Sequence, residues 1–292
     1  MNPRIAFATF EKMPVLDPDD VVAAAALQAR GAAVEAAVWS DSRVRWRDFD
    51  AVALRSTWDY HHRPTEFVAW LQGLAADGVH VCNPVETVLW NMDKRYLLEL
   101  SAKGVPIVPT RWIEQGENAS LDDVLREQGW SNAVVKPAVS VNSFGTFRTS
   151  LAEAPKRQLE LGRLLEESGV LVQPFVREIV DDGEWSLLFF DGEFSHALVK
   201  RPAQNDFRTQ SNFGGKHTRT APSESLVRQG RSVLDAILAR PVYARVDGVV
   251  VGGQFQLMEL ELIEPSLYLD GDVAAAERFA GALLQSMREH PR

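Results

Sequence analysis

The chain has 292 residues, 46% of them hydrophobic and 24% charged, and its formal net charge is −9. These proportions are those of an ordinary globular protein, and the acidic balance disfavours a nucleic-acid partner. No apolar run approaches the roughly 18 residues of a membrane span, so we expect no membrane association. The N-terminus lacks a signal-peptide pattern, which makes the cytoplasm the expected location. The single cysteine, Cys82, excludes an internal disulfide bond and a cysteine-based zinc site.

The first ninety residues alternate between strand and helix patterns. Predicted strands occupy residues 4–10, 33–38, 51–55 and 79–82, with predicted helices at residues 19–30 and 67–74. This alternation predicts a parallel α/β sheet, whose ligands sit at the carboxyl ends of the strands. Residues 55–60, Arg-Ser-Thr-Trp-Asp-Tyr, follow the third strand and are therefore placed like a binding loop.

The remainder of the chain changes character. Its middle part contains predicted strands at 133–136 and 170–175, a helix at 154–168 and a polar surface loop at 115–122. The C-terminal part contains predicted strands at 185–190, 194–200, 243–251 and 254–262, with helices at 225–239 and 273–288. Asp191-Gly192 and Gly252-Gly253 separate pairs of these strands and are hairpin signals. The pattern predicts an antiparallel α+β region, so the fold class is α/β plus α+β.

Carboxylates are concentrated on the last two predicted strands. Because side chains alternate along a strand, Asp247 shares a face with Arg245. Glu259 and Glu261 share a face of the next strand in the same way. If the hairpin pairs in register, the three carboxylates converge and need a cation, for which Mg²⁺ is well suited. The alternative is that they are ordinary charges on a solvated strand face.

Two lysines are placed where they could bind phosphate. Lys136 ends an apolar strand and precedes a loop with Ser140 and Ser143, whose hydroxyl and backbone N–H groups could wrap a phosphate. Lys94 opens a predicted helix. Each lysine on its own is equally compatible with a solvated side chain. There is no Walker A sequence and no Gly-x-Gly-x-x-Gly motif, so a nucleotide site must be built differently.

Taken in order, several short motifs resemble those of ATP-grasp enzymes, and best the prokaryotic glutathione synthetases. They are Asp93-Lys94 before Gly104-Val105-Pro106, Val135-Lys136-Pro137, residues 172–176, Asp191-Gly192-Glu193, Lys200-Arg201-Pro202, residues 208–215, Arg245-Val246-Asp247 and Glu259-Leu260-Glu261. The resemblance implies an ATP-grasp fold with an N-terminal parallel α/β domain (1–90), a small lid subdomain (91–175) and a C-terminal antiparallel-sheet domain (176–292). It also implies an ATP- and Mg²⁺-dependent ligase that activates a carboxylate as an acyl phosphate.

The same resemblance implies roles for individual residues. Those expected to bind ATP are Lys94, Lys136, Ser140, Ser143, Gln173, Phe175, Val176 and Glu184. Those expected to act on the transferred phosphoryl group are Lys200, Arg208, Asn212 and Arg245, and those expected to bind Mg²⁺ are Asp247, Glu259 and Glu261. Two departures stand out. Glu261 occupies a position where the family usually has Asn, and the loop after Lys136 is poorer in glycine than usual.

Three stretches resemble more narrowly the subgroup of the D-cycloserine-forming cyclo-ligase, which cyclises O-ureido-D-serine. They are residues 55–60, 135–140 and 259–266. This resemblance implies that a nitrogen of a small amino-acid-like substrate attacks the phosphorylated carboxylate of the same molecule.

The subgroup resemblance also suggests substrate contacts. Arg55 would anchor the substrate carboxylate, and Thr57 would lie near the substrate. Glu264 and Ser266, just past the predicted metal strand, could touch the substrate amine. The alternative for Arg55 is an ion pair with Asp59 or Asp50.

Two other functions stay open. The same fold joins an amino acid to a peptide or to a protein end, and an ATP-binding regulator without catalysis is a third hypothesis. Substrate-dependent ADP release distinguishes an enzyme from a regulator, and product mass distinguishes ring closure from the joining of two molecules. The family resemblance also implies a homodimer and a lid that closes over ATP.

Overall fold

The computed structural model describes residues 2–204, 206–210 and 213–290. Three sheets are formed, by strands within residues 4–82, 111–174 and 184–261. Each sheet falls inside one of the three predicted parts, and the boundaries at residues 90 and 175 stay a prediction. Within the described ranges, no helix combines the length and the apolar character that crossing a membrane requires.

The first sheet belongs to the N-terminal α/β region. Its elements are β1 (Arg4–Thr9), α1 (Pro18–Ala29), β2 (Ala33–Val38), β3 (Ala51–Leu54), α2 (Pro64–Ala76) and β4 (Val81–Cys82). The strands are parallel, as predicted, in the order β2-β1-β3-β4. Asp17 caps α1 because its side chain accepts a hydrogen bond from the backbone N–H of Asp20, and proline suits the first helical position. Because β1 and β3 pair in parallel, their carboxyl ends lie side by side, directly before residues 55–60.

The second sheet is small and antiparallel. The elements of this part are α3 (Val85–Asn91), α4 (Tyr96–Ala102), β5 (Arg111–Ile113), α5 (Leu121–Gln128), β6 (Asn132–Pro137), β7 (Phe147–Ser150), α6 (Ala154–Glu167) and β8 (Val170–Pro174). The strand order is β5-β8-β6-β7. Helix α5 begins inside the predicted surface loop, because the Ser120 side chain accepts a hydrogen bond from the N–H of Asp123. Gly129 ends the helix with a left-handed φ of 69°.

The third sheet is larger and also antiparallel. The elements are α7 (Glu178–Asp181), β9 (Glu184–Phe190), β10 (Glu193–Arg201), β11 (Lys216–Arg219), α8 (Glu224–Asp235), β12 (Tyr243–Val251), β13 (Gln254–Glu261) and α9 (Val273–Glu289). The order is β11-β10-β9-β12-β13. Both predicted hairpin turns are confirmed, since Asp191-Gly192 joins β9 to β10 and Gly252-Gly253 joins β12 to β13. All four turn residues have positive φ, which explains the glycines there.

A buried tyrosine joins the first sheet to the third. The hydroxyl group of Tyr243 on β12 lies 3.0 Å from the carbonyl oxygen of Leu54 and 2.9 Å from that of Cys82. It also lies 3.1 Å from the carbonyl oxygen of Ile263, just after β13. The side chain of Asn83 donates a hydrogen bond of 2.9 Å to the carbonyl oxygen of Tyr243. These contacts hold the ends of β3 and β4 against the strands that carry the predicted metal ligands.

Candidate active site

A cavity of about 380 Å³ is lined by residues from all three parts of the chain. The predicted site residues that line it are Lys94, Lys136, Ser140, Ser143, Gln173, Val176, Glu184, Lys200, Arg208, Arg245, Asp247, Glu259, Glu261, Glu264 and Ser266. Arg55, Thr57 and Phe175 are not among its lining residues. The predicted catalytic residue Asn212 lies outside the described residues. The cavity thus brings the candidate phosphate, metal and substrate residues together.

The β12–β13 hairpin pairs in register on the floor of this cavity. Asp247 lies opposite Glu259, and Arg245 lies opposite Glu261. The register shifts just beyond Asp247, at a bulge before Gly248. Because the alternation of side chains holds up to this bulge, all four charged residues line the cavity.

Asp247 is the centre of a buried ion-pair network. Nε of Arg245 donates to its two carboxylate oxygens at 3.1 and 3.0 Å, and Nζ of Lys200 lies 3.1 Å from Oδ2. The hydroxyl group of Ser186 donates a further hydrogen bond. Burial alone would raise the pKa of Asp247, but the two cations outweigh it and lower the pKa to about 2. Asp247 is therefore ionised at neutral pH.

The two glutamates of β13 are held by different cations. Nζ of Lys94 lies 3.3 Å from Oε1 of Glu259, and Arg245 forms an ion pair with Glu261. Burial raises the pKa of Glu261, and repulsion from Asp247 and Glu259 adds to the effect while Arg245 opposes it. Burial also acts on Glu259, but Lys94 and nearby positive charge bring its pKa below the usual value. Like charges packed this closely are stabilised by any additional cation.

The predicted magnesium ligands are close to cations and not gathered around one centre. In the part of the chain that the structure describes, no three histidine, cysteine, aspartate or glutamate side chains stand in an arrangement that would hold a metal ion. The prediction of three converging carboxylates is corrected in this respect, because Arg245 and Lys94 occupy the space beside Glu261 and Glu259. The donor set itself fits a hard cation, since it consists of carboxylate oxygens that face the cavity.

Lys136 and Lys94 face the cavity in different ways. Burial lowers the pKa of Lys136, although Glu259 and Glu184 oppose the effect. Lys136 forms no hydrogen bond or ion pair with a described residue. Lys94 instead donates from Nζ to the carbonyl oxygen of Ser140 at 3.0 Å and to its hydroxyl oxygen at 3.1 Å. Lys136 is therefore ready for an anionic ligand, and Lys94 fixes the start of the loop above it.

The loop after β6 lines one side of the cavity, which is called its roof below. Asn142 and Ser143 adopt φ values of 52° and 59°, in the left-handed region that glycine usually occupies. The loop therefore makes its turn without the glycines that the family usually has there. At its tip, the Phe144 ring lies 5.0 Å from the rings of both His61 and His62. This aromatic contact attaches the roof to the N-terminal region.

An apolar part of the cavity has a single amide group. Val108, Val176, Ile179 and Met258 form one packed cluster and also line the cavity. The side-chain N–H of Gln173 donates to the hydroxyl oxygen of Thr110 at 2.9 Å, and that hydroxyl group donates to the carbonyl oxygen of Val108 at 2.8 Å. Ligand pockets are typically apolar with a few placed polar groups, which describes this slot, and its role as the adenine site stays a prediction.

The predicted adenine residue Phe175 lies outside this slot. Strand β8 ends at Pro174, so the side chain of Phe175 no longer follows the alternation of the strand. The guanidinium group of Arg148 lies 3.8 Å from the centre of its ring. The backbone N–H of Phe175 donates to the carbonyl oxygen of Asn132.

Arg208 lines the cavity but is bound by its neighbours. Its guanidinium group donates to Asp206 at 2.9 and 3.1 Å and lies 3.6 Å from the centre of the Phe213 ring. These hydrogen bonds lower the pKa of Asp206 to about 2. The next residue, Thr209, donates a hydrogen bond to Glu184, which also accepts Lys200 as an ion-pair partner. This segment therefore borders the same network as Asp247.

Arg55 is not a cavity residue, which corrects the prediction that it anchors a substrate carboxylate. Its Nε atom lies 2.7 Å from Oδ1 of Asp20, and both side chains are buried. Neither predicted partner is involved, because Asp59 accepts a hydrogen bond from a tryptophan and Asp50 from a backbone N–H. The first turn of α1 brings Asp20 next to the end of β3. Thr57 is likewise fully buried.

Tyr60 is a cavity residue that the sequence did not single out. Together with Glu264 and Ser266 it lines the cavity, and its position in residues 55–60 was the only signal for it. Glu264 is buried, and burial raises the pKa of its carboxyl group to about 7. The side of the cavity where the substrate is predicted to bind is therefore formed by the segment after β3 and the segment after β13.

Comparisons with known proteins agree with this architecture. A family model described as the N-terminal domain of D-cycloserine synthetase DcsG matches residues 5–83. The cycloserine biosynthesis protein DcsG of Streptomyces lavendulae is 34% identical over 276 residues, 88% of this chain and 90% of that protein. A glutathione synthetase of Parasynechococcus marenigrum is 28% identical over 215 residues, 72% of this chain and 66% of its own length.

A solved structure extends the likeness to the whole fold. The crystal structure of D-cycloserine synthetase DcsG matches with a TM-score of 0.88 at 30% identity, covering 97% of this chain and 99% of that one. The predicted ATP-grasp fold and the predicted likeness to glutathione synthetases are thereby confirmed.

Proposed function

Because the chain belongs to the DcsG family of ATP-grasp ligases, which form C–N bonds, we propose that it closes a ring within one small amino-acid-like substrate. ATP supplies the phosphoryl group that activates the substrate carboxylate. The substrate we propose is O-ureido-D-serine, and the product is D-cycloserine. A cytoplasmic location and a homodimer, both expected from the sequence, are parts of the same proposal.

The observation that carries this proposal is the division of charge within one cavity. Lys94, Lys136, Lys200 and Arg245 line it together, whereas Glu264 lines it without a cationic partner among the described residues. Cations suit the phosphates of ATP and the negative charge that develops during phosphoryl transfer. With about 380 Å³, the cavity lies at the small end of ligand pockets, roughly 300–1,000 Å³. A nucleotide and a small substrate therefore fit it better than a polymeric acceptor.

In the first step, a carboxylate oxygen of the substrate attacks the γ-phosphorus atom of ATP. The bond between that phosphorus and its bridging oxygen breaks, and ADP leaves. Lys136 and Lys94 would position the phosphates, and Lys200 and Arg245 would offset the charge on the transferred group. When bound, Mg²⁺ would neutralise phosphate oxygens, held by the carboxylates of β12 and β13.

In the second step, the oxygen-bound nitrogen of the ureido group attacks the acyl carbon. The C–N bond forms, the bond from carbon to the phosphate oxygen breaks, and inorganic phosphate leaves. The nitrogen loses its proton to a base. Transfer of the carbamoyl group from this nitrogen to water then releases carbamate and gives the unsubstituted ring. Closure of the loop after β6 over the bound ATP, as expected from the family resemblance, would protect the acyl phosphate from water until ring closure.

The proposal is tested by ADP release across a panel of small amino acids that includes both enantiomers of O-ureidoserine. We expect release that requires one such carboxylate and that falls about a hundredfold in Glu259→Gln, as for loss of one charge-stabilising group. Glu193→Gln, an exposed carboxylate paired with Arg231, is the matched control and should behave like the native protein. Product mass should show ring closure without a second substrate. ADP release that ignores the amino acid, or a product containing two substrate molecules, would contradict the proposal.

A further inference from the structure

Two polar side chains on the substrate side of the cavity come from distant parts of the chain. Tyr60 follows β3 and is 5% exposed, and Glu264 follows β13 and is 9% exposed. Both line the cavity. Burial raises the pKa of Tyr60, and the negative charge of Glu264 adds to the effect.

The phenol ring of Tyr60 is held rigidly. It stacks on Phe67 with ring centres 4.8 Å apart and planes 20° apart, and its backbone N–H donates to the carbonyl oxygen of Thr57. Phe67 is packed in turn by Trp39 and Trp70. The hydroxyl group therefore has a fixed position, which is the requirement for precise recognition of a ligand.

That hydroxyl group has no hydrogen-bond partner within the described residues, unlike those of the other deeply buried tyrosines. Tyr96 accepts a hydrogen bond from the N–H of Leu260, and Tyr243 lies among three carbonyl oxygens. Buried tyrosine hydroxyl groups usually have a partner. Because Tyr60 borders the cavity, its missing partner belongs to the ligand.

Glu264 is likewise an exception, because the other acidic residues of the cavity named here form ion pairs and Glu264 does not. Glu184, Asp247, Glu259 and Glu261 each form an ion pair with a lysine or arginine. Glu264 forms none with any residue that the structure describes. Lys94 and Arg245 act on Glu264 only from a distance, and burial still raises its pKa to about 7. A buried carboxylate without a contacting cation is unfavourable, so this position favours a ligand that brings a positive charge.

We propose that Tyr60 and Glu264 bind the α-ammonium group of the substrate and make that group a determinant of specificity. An ammonium group has three donors. Glu264 would accept one with its charge, the Tyr60 oxygen would accept the second, and the hydroxyl group of Ser266, which also lines the cavity, would accept the third. The inference rests on the proposed function and deepens it.

The assignment has a chemical consequence for the second step. A nitrogen that is held as an ammonium has no lone pair and cannot attack the acyl phosphate. The α-nitrogen is therefore an anchor, and ring closure must use a nitrogen of the ureido group. Self-condensation, in which the α-nitrogen of one molecule attacks another, is prevented for the same reason.

The test compares O-ureidoserine with its analogue that lacks the α-amino group, using kcat/KM for ADP release. We expect the native enzyme to prefer the amino compound by about tenfold to a hundredfold, as for a hydrogen bond to a charged group. Glu264→Gln should reduce this preference to nearly none, and Tyr60→Phe should reduce it in part. Both changes preserve side-chain shape, and KM for ATP should be unaffected. Tyr268→Phe, a change at another cavity tyrosine, should leave the preference intact.

The outcomes separate this inference from the proposed function. If the native enzyme releases ADP equally well with both compounds, or if both variants keep the full preference, the ammonium site is wrong while the ligase activity stands. If no amino acid stimulates ADP release, the proposed function fails. In that case, equilibrium binding of the two compounds in the presence of ATP decides the inference, and equal affinities would overturn it.

Discussion

Lys200 lies between two carboxylates, with Nζ 3.1 Å from Asp247 and 3.3 Å from Glu184. Its side chain is only 5% exposed. Burial alone would lower the pKa of Lys200, but the two carboxylates raise it above the usual value. The ammonium group therefore keeps its charge and holds β9, β10 and β12 together at the floor of the cavity.

Replacement of this lysine should affect stability as well as activity. We expect Lys200→Met to reduce the free energy of unfolding by about 3–5 kcal/mol, the usual effect of leaving a buried charge without its partner. Urea denaturation measures the loss, with the exposed Lys156→Met as control. Glu184→Gln in the Lys200→Met background should restore part of the stability because it removes one of the stranded charges. A double variant no more stable than Lys200→Met would contradict this account.

The orientation of Gln173 should depend on Thr110. The Thr110 hydroxyl group gives its only proton to the carbonyl oxygen of Val108, so it can only accept from the Gln173 amide. This arrangement fixes which end of the Gln173 amide points away from Thr110. In Thr110→Val we expect KM for ATP to rise about two- to tenfold, as for one hydrogen bond, with kcat little changed. Steady-state kinetics with ATP provide the measurement, and an unchanged KM in Thr110→Val would refute the role. Thr65→Val, at an exposed helical site, is the control.

Buried His196 should make the protein less stable in acid. Burial, assisted by Arg219, lowers the pKa of His196 to about 4. In the unfolded chain the imidazole has its ordinary pKa near 6.5, so between about pH 6.5 and 4 only the unfolded state takes up this proton. Stability therefore falls as the pH falls through this window, by up to about 3 kcal/mol at 1.36 kcal/mol per pKa unit.

The histidine contribution can be isolated by substitution. The free energy of unfolding of His196→Gln, measured from pH 8 to pH 4, should depend less steeply on pH than that of the native protein. The exposed His217→Gln serves as control. A profile for His196→Gln that is as steep as the native one would assign the acid sensitivity to other groups.

The Arg55–Asp20 ion pair should be important for stability and not for substrate binding. Asp20→Asn leaves a buried guanidinium group without its counter-charge, and we expect a loss of about 3–5 kcal/mol. Arg55→Met combined with Asp20→Leu should be more stable than Asp20→Asn, because no buried charge remains. Thermal unfolding and KM for the amino acid are the two measurements. A large rise in KM in the stable double variant would restore Arg55 as a substrate residue.

The sequence carried most of the information on the nucleotide and metal side of the cavity. Lys136, Asp247 and Glu259 occupy strands whose apolar alternation makes their faces predictable. The pairing of Asp247 with Glu259 also depends on the bulge before Gly248, because the register set by the Gly252-Gly253 turn alone would place Asp247 opposite Met258. Sequence position was therefore sufficient for the faces and not for the register. The ion-pair partners of these charges were not predictable, because pairing depends on distances between strands that are far apart in sequence.

The substrate side was harder to predict for a physical reason. Asp20 is 35 residues from Arg55, and only the packing of α1 against the first sheet brings the two side chains together. Tyr60 begins a single turn of 3-10 helix, Tyr60–His62, which is too short for periodicity to indicate which way a side chain points. Strand β5 has three residues, and β7 has four, too short for alternation to be recognised. Each feature that was not predicted from the sequence is one that tertiary contacts determine.

The hydrogen bonds that Tyr243 and Asn83 form between the first and third sheets have a consequence for building hybrid enzymes. The matched N-terminal segment ends at Asn83, whose side chain bonds the backbone of residues 242 and 243 and the carbonyl oxygen of Leu262. A chimera that exchanges residues 5–83 with those of a relative would cut through these hydrogen bonds. Such a graft preserves the cavity only where donor and recipient both supply the asparagine and the tyrosine. The part of this enzyme that can be exchanged as a unit is therefore the N-terminal segment together with Tyr243, its hydrogen-bonding partner in the third sheet.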